Sequence, residues 1–172
     1  MNWANYVCSE GRCIRLRTFA TVQGLPVVHT ETGYEYGRVI DALLLDNHIT
    51  GLLINMKGWL NRHQFLQMQH IFSIGEQAVM VQSETCFETC HSQPIYQESI
   101  HLVLGKPKLR GMELFSVRGD LLGLVEDVYF SDPLGMIEGY KVTDGLLADL
   151  TKGQHMLQGH HLVIGKERAI LS

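Results

Sequence analysis

Apolar residues along this chain form short runs that are separated by glycine, aspartate and asparagine at roughly ten-residue spacing. This pattern is typical of short antiparallel strands in a small barrel or sandwich. In the first half of the chain it predicts strands over residues 25–28, 37–45, 51–54, 64–66 and 78–81. The second half adds one expected helix of about two turns over residues 144–153, which starts at Asp144 and ends at Gly153.

A nine-residue motif of the form G-x3-G-x-V-x-D occurs twice in the chain, at residues 33–41 and 119–127. Each copy continues into an apolar run and a turn, and each half closes with Ile-Gly followed by a second apolar run. These matches indicate an internal repeat. The glycines are expected at a hairpin turn and at the start of a strongly twisted strand. The residues of the repeated motif are Gly33, Gly37, Val39, Asp41, Gly119, Gly123, Val125 and Asp127.

The repeat divides the 172 residues into four parts. They are an amino-terminal arm (1–16), a first barrel-like domain (17–82), a connector (83–107) and a second barrel-like domain (108–172). Alternation of Ile100, Leu102 and Leu104 predicts a strand in the connector, which either lies across the two barrels or completes one of them. A helical turn is expected at residues 68–72 and at its counterpart, residues 159–163. Because a barrel of about 65 residues is marginally stable alone, we expect either packing between the two copies or a homo-oligomer.

Asp41 and Asp127 lie within strands that are otherwise apolar. Two such carboxylates invite interpretation as a catalytic acid–base pair. Each copy supplies only one of them, however, and a hydrogen bond to a neighbouring turn would explain why both copies carry it. The structural interpretation is therefore favoured.

The tandem motifs, together with the string G-Y-x-V-x-D-G-L-L-x-D-L-x-x-G at residues 139–153, resemble the PRC-barrel family and in particular its bacterial two-barrel members. The resemblance implies a mainly β fold with two small antiparallel barrels in tandem and one short helix in the second. Members of this family include the cytoplasmic domain of the photosynthetic reaction-centre H subunit and the carboxy-terminal domain of the ribosome maturation factor RimM, which serve as assembly or interaction modules. The family brings no shared catalytic residue and no cofactor.

Charge, motifs and apolar runs limit the partners, activities and location that we expect. With 14 Lys and Arg against 18 Asp and Glu, the net charge of −4 gives no reason to expect a nucleic acid or an anionic membrane as partner. The usual catalytic motifs, such as the P-loop, H-E-x-x-H and G-x-S-x-G, do not occur in the sequence. No apolar run approaches the roughly 20 residues of a spanning helix, and the amino end has no signal-peptide pattern. We therefore expect a cytoplasmic protein.

Metal binding is the alternative that the four cysteines and nine histidines raise. The cysteines occur as the pairs Cys8/Cys13 and Cys86/Cys90, neither of which has the tight C-x2-C spacing of a zinc knuckle. Of the histidines, only His70 and His160 correspond closely between the two copies. We predict free thiols, no metal site and no cofactor.

Trp59 stands in a stretch, residues 57–61, that is typical of a hairpin tip. An exposed tryptophan is a candidate anchor for a protein interface. Packing of Trp59 on its own or the neighbouring barrel is the alternative.

From these observations we expect the protein to be a non-enzymatic cytoplasmic adaptor or assembly module that acts through protein–protein contacts. The second hypothesis is a metal- or small-ligand-binding protein that uses its histidines and cysteines or the cleft between the barrels. The sequence names neither the protein partner nor the process.

Overall fold

Antiparallel strands make up most of the chain in its computed structural model, which describes residues 6–9, 12–58, 63–90, 94–132, 135–143, 155–157, 162–165 and 167–172. One short α-helix, α1 (Pro94–Glu98), is described, and 3-10 turns cover Phe19–Thr21, Met68–His70 and Glu84–Cys86. The strands are β1 (Tyr6–Ser9), β2 (Arg12–Thr18), β3 (Pro26–His29), β4 (Glu35–Leu45), β5 (His48–Met56), β6 (His63–Gln67), β7 (Ile71–Ile74), β8 (Val79–Val81), β9 (Phe87–Thr89), β10 (Ile100–His101), β11 (Glu113–Ser116), β12 (Leu121–Asp132), β13 (Ile137–Thr143), β14 (His155–Leu157), β15 (Leu162–Ile164) and β16 (Arg168–Leu171).

The strands form two curled sheets, each with eight strands among the described residues. The first sheet runs β7-β8-β3-β4-β5-β6-β9, with β10 beside β4. The second runs β1-β2-β12-β11-β16-β15, with β13 beside β12 and β14 beside β13. We call the first sheet with its turns the first unit and the second sheet with its turns the second unit.

The two units share one pattern of strand pairing. In the first unit β3 pairs with β8 in parallel, and in the second β11 pairs with β16 in parallel, whereas most other pairs are antiparallel. The β4–β5 pair has a bulge between Val39 and Asp41, and the β12–β13 pair has one between Val125 and Asp127. The predicted fold class, mainly β with two small barrels, is confirmed.

Most of the local predictions match the structure. The five strands expected in the first half correspond to β3, β4, β5, β6 and β8, and the helical turn expected at residues 68–72 is the 3-10 turn Met68–His70. The helix predicted over residues 144–153 lies outside the described residues. The connector differs, since it contains α1, which was not predicted, and its strand β10 ends at His101. That strand is short because the N–H groups of Val103 and Leu104 bind a carboxylate instead of a neighbouring strand.

The segment that enters each unit completes the sheet of the other unit. Strand β2, which precedes the first unit, pairs with β12, so that Arg17 lies opposite Phe130. Strand β10, which precedes the second unit, pairs with β4, so that Ile100 lies opposite Leu44. This reciprocal exchange ties the predicted arm and connector into the two sheets.

One continuous apolar core extends through both units. Phe19 follows β2 and Leu102 follows β10, and both side chains are fully buried in that core. A smaller cluster lies where α1 covers β4, β5 and β6. It contains Leu43, Leu53, Phe65, Cys90, Ile40, Ile95 and Tyr96. The sharing of one core explains how two barrels of marginal size are stabilised within one chain.

Arg17, in β2, makes buried polar contacts with both units. Its Nε donates to Asp132 Oδ2 at 2.9 Å, at the end of β12, and another guanidinium nitrogen donates to the carbonyl of Ile74 in β7. Both charged side chains are largely buried. Removing one member of such a pair leaves an uncompensated charge away from water.

Replacing Arg17 by alanine is therefore expected to lower the free energy of unfolding by about 3–5 kcal/mol. Urea denaturation of R17A, D132A and the double variant measures this. The loss in the double variant should be smaller than the two single losses together, because the double variant has no unpaired charge. The matched control is R15A, since Arg15 forms an exposed pair with Glu76 at 3.2 Å and should change stability by less than about 1 kcal/mol. Strict additivity in the double variant would contradict the assignment.

Candidate functional site

Asp41 is a fully buried carboxylate in the middle of β4. Its Oδ1 accepts hydrogen bonds from the N–H groups of Ala42 and Val103, both at 2.8 Å. Its Oδ2 accepts from the N–H of Leu104 at 3.0 Å and contacts His101 Nδ1 at 2.7 Å. The carboxylate of a first-unit strand thus holds the turn through which the chain enters the second unit.

Asp127 occupies the equivalent position in β12 and is also buried. Its Oδ2 accepts from the N–H of Ala20 at 2.8 Å, and its Oδ1 accepts from that of Val128 at 2.9 Å. Ala20 belongs to the turn through which the chain enters the first unit. Burial raises the pKa of Asp127, and the two N–H groups and the nearby Arg110 act in the opposite direction.

The pairing of His101 with Asp41 resembles two members of a catalytic triad, which needs a nucleophile on the other imidazole nitrogen. The His101 ring binds Asp41 through Nδ1 and packs edge-on against Tyr96, with centroids 5.6 Å apart. Both aspartates accept hydrogen bonds from backbone N–H groups of the entering turns, which is the role favoured from the sequence.

The glycines of the repeated motif meet two backbone requirements. A Cβ on Gly37 would lie 2.3 Å from the carbonyl oxygen of Asn55, and one on Gly123 would lie 2.3 Å from that of Thr143. Gly33 and Gly119 have φ angles of +69° and +88°. The first glycine of each motif therefore adopts a left-handed turn conformation, and the second permits close approach of the neighbouring strand.

The other candidate residues from the sequence do not form a reactive centre in the described ranges. Cys86 and Cys90 are buried free thiols, and burial raises the pKa of both. Among the residues that the structure describes, no group of three histidine, cysteine or acidic side chains could hold a metal ion. Trp59 lies outside the described residues, as do the side chains of Cys8 and Cys13.

A hairpin tip joins the first unit to β13 of the second. Asp46 and Asn47, the two residues between β4 and β5, both have positive φ, as a type I′ turn requires. Asn47 Oδ1 accepts from the hydroxyl of the fully buried Tyr140 at 2.9 Å, and Asn47 Nδ2 donates to the Ile137 carbonyl at 3.1 Å. Burial raises the pKa of Tyr140 to about 12. Beside this contact lies a cavity of about 460 Å³, which Leu44 and Ile100 also line.

The outer face of the second sheet carries a row of apolar side chains that cross four adjacent strands. Register places Leu121 beside Phe115, Phe115 beside Ile170 and Ile170 beside Val163. Leu121, Ile170 and Val163 expose 52%, 43% and 54% of their surface, and Val117 beyond the end of β11 exposes 70%. We call Leu121, Phe115, Ile170, Val163 and Val117 the apolar row.

The same row in the first unit has a different composition. Register there places Glu35 beside Val28, Val28 beside Met80 and Met80 beside Ser73. All four side chains are half-buried. The barrel architecture therefore does not require exposed apolar residues at these positions. The row was not predicted from the sequence, although a pattern indicates it. Residues 162–164 and 169–171 are each three consecutive apolar residues. Because successive side chains of a strand point to opposite faces, at least one of three must face outward.

Two comparisons with known proteins agree with this architecture. The family model for the PRC-barrel domain matches residues 104–167, which lie largely in the second unit. The chain is also 31% identical over 147 residues to "Uncharacterized protein YrrD" of Bacillus subtilis (strain 168), a match that spans 83% of this chain and 79% of that protein. The chain belongs to the PRC-barrel family.

In the part of the chain that the structure covers, no helix has the length and apolarity needed to cross a membrane.

Substitution of Asp41 by alanine tests the role of the buried carboxylates. It would leave the N–H groups of Val103 and Leu104 without their charged acceptor, and each hydrogen bond to a charged group contributes about 1.5–3 kcal/mol. We expect urea denaturation of D41A to show a loss of more than about 2 kcal/mol. The control is E31A, an exposed acid whose removal should change stability by less than about 0.5 kcal/mol. A D41A protein as stable as E31A would show that the carboxylate does not hold the entering turn.

Proposed function

We propose that this protein is a non-enzymatic cytoplasmic adaptor or assembly module that binds a protein partner through the apolar row. The observation that carries the proposal is the contrast between the two units, since the row is apolar and exposed only in the second of two equivalent sheets. Exposed contiguous apolar surface on a soluble protein is typical of interaction sites. The family resemblance supports the same class of function.

Charge on this face supports an apolar protein surface as the occupant. Glu113 and Arg168, next to the row on β11 and β16, pair with each other at 3.2 Å. The Arg168 guanidinium also lies over the Phe115 ring, 5.3 Å from its centroid. In the turn between β11 and β12, Arg118 and Asp120 likewise carry opposite charges. Because these charges compensate in pairs, they give no net charge that would attract a nucleic acid or an anionic lipid. A partner that contributes uncharged, apolar side chains complements it.

Binding through the apolar row can be tested with substitutions copied from the equivalent positions of the first unit. Replacing Leu121 by glutamate and Val163 by serine reproduces the residues at the equivalent positions, Glu35 and Ser73, which the same architecture accommodates. A photo-crosslinking amino acid at Ile170 would first identify the partner in the cells that make the protein. Binding is then measured with purified components. We expect L121E/V163S to weaken binding by at least about tenfold while the unfolding transition stays in place.

The control variant is F72S, because Phe72 is an equally exposed apolar residue, at 59%, on the first unit. It should bind the partner like the wild type. Equal affinity of L121E/V163S and wild type would contradict the proposal. Sedimentation of the purified chain as a dimer that L121E/V163S dissociates would also contradict it, because a second copy would then occupy the row.

The cavity beside the Asn47–Tyr140 contact favours a second candidate function, the binding of a small ligand between the units. Its lining combines aliphatic side chains such as Ile100 with the polar side chains of Asp46 and Glu98, and ligand sites also combine apolar walls with polar groups that orient the ligand. Native mass spectrometry of untagged protein should detect a co-purifying compound of defined mass. The variant I100W, which fills the cavity, should lose that compound. An unmodified mass in the wild type would exclude this candidate.

A further inference from the structure

A second open cavity, of about 720 Å³, lies at the end of the first unit. Three aromatic residues line it: His29 at the end of β3, Tyr34 in the following turn and Tyr36 in β4. Ser83 and Glu84, from the segment that follows β8, form part of the opposite wall. Neither the apolar row nor the turns at Asp41 and Asp127 belong to it.

The aromatic rings stand at steep angles to one another around Tyr36. Tyr34 and Tyr36 meet edge to face, with centroids 5.0 Å apart and planes at 76°, and His29 lies 6.3 Å from Tyr36 at 58°. On its other side Tyr36 packs against Phe87 at 4.9 Å. Tyr34 exposes 58% of its surface. Its backbone is fixed by two hydrogen bonds, since its carbonyl accepts from the His29 N–H and its N–H donates to the Thr32 hydroxyl. The face of an exposed aromatic ring such as that of Tyr34 attracts cations.

The charge of the lining is negative. Glu84 is exposed, and its carboxylate forms no hydrogen bond or ion pair with the described residues. No lysine or arginine is among the residues that line the cavity. Burial, followed by the charge of Glu84, raises the pKa of the Tyr36 hydroxyl. His29 Nδ1 accepts hydrogen bonds from the N–H groups of Glu31 and Thr32, both at 3.2 Å. The cavity therefore combines π faces with an uncompensated carboxylate.

We infer that this cavity binds an organic cation, an alkylammonium or guanidinium group that packs on Tyr34 and Tyr36 and pairs with Glu84. The described residues already contain one cation over an aromatic ring, since the Arg168 guanidinium lies over Phe115 in the second unit. No lysine or arginine lines the first-unit cavity, so its cation would come from another molecule.

The inference can be tested with choline and its neutral isostere, 3,3-dimethylbutan-1-ol, which differ in charge and little in shape. Titration of the ¹⁵N-labelled full chain should give saturable shifts at the amides of Tyr34, Tyr36 and Glu84 with the cation. The neutral compound should bind at least about tenfold more weakly. A parallel titration with Nα-acetyl-arginine amide distinguishes the source: tighter binding of choline indicates a free small cation, and tighter binding of the arginine derivative indicates a protein side chain.

Two variants and one control separate the site from general surface effects. Y34A removes a largely exposed ring and E84Q removes the charge, so both should keep the fold and bind the cation more weakly. F72A removes an equally exposed aromatic residue of the same unit and should bind like the wild type. The inference is overturned if neither cation gives saturable shifts, if the neutral isostere binds as well as choline, or if Y34A keeps full affinity. These outcomes are independent of whether the apolar row binds a protein.

Discussion

The exchange of entering segments between the two units is the constraint on which the rest of the structure depends. Strand β2 completes the second sheet and β10 completes the first, so neither sheet is whole without chain from the other half. Asp41 and Asp127 make this exchange specific, because each buried carboxylate binds the N–H groups of the turn that follows the exchanged strand. A polar group that is satisfied only in one arrangement selects that arrangement over other packings of two apolar surfaces.

Local features of the fold could be predicted from the sequence because local chemistry determines them. The spaced glycines reflect a left-handed turn and a close strand approach, and the Asp46–Asn47 pair reflects a two-residue turn. A connector strand that completes one barrel was among the expectations, but the reciprocal exchange and its partners could not be predicted, because Arg17 and Asp132 are 115 positions apart and no periodic pattern links them. The apolar row and the aromatic cavity depend on strand register and on turns in three dimensions. A list of polar and apolar positions does not contain that information.

The internal repeat is useful because each unit serves as a reference for the other. Features that both units share, such as the bulge before the aspartate and the parallel pair at the end of the sheet, are requirements of the architecture. Features that one unit carries alone are not required by it. By this criterion the apolar row belongs to the second unit and the aromatic cavity with Glu84 to the first, so the two copies differ in the surfaces that they present.

The reciprocal exchange also determines what a break in the chain would do. A single cut in the connector between Cys90 and Pro94 leaves β2 on one fragment and β10 on the other, although each strand is part of the opposite sheet. The two fragments would remain joined by backbone hydrogen bonds, a common core and the buried Arg17 pair. In this respect the protein is equivalent to a strand-swapped dimer whose two subunits are covalently linked, and its covalent continuity matters less to its architecture than its tandem sequence suggests.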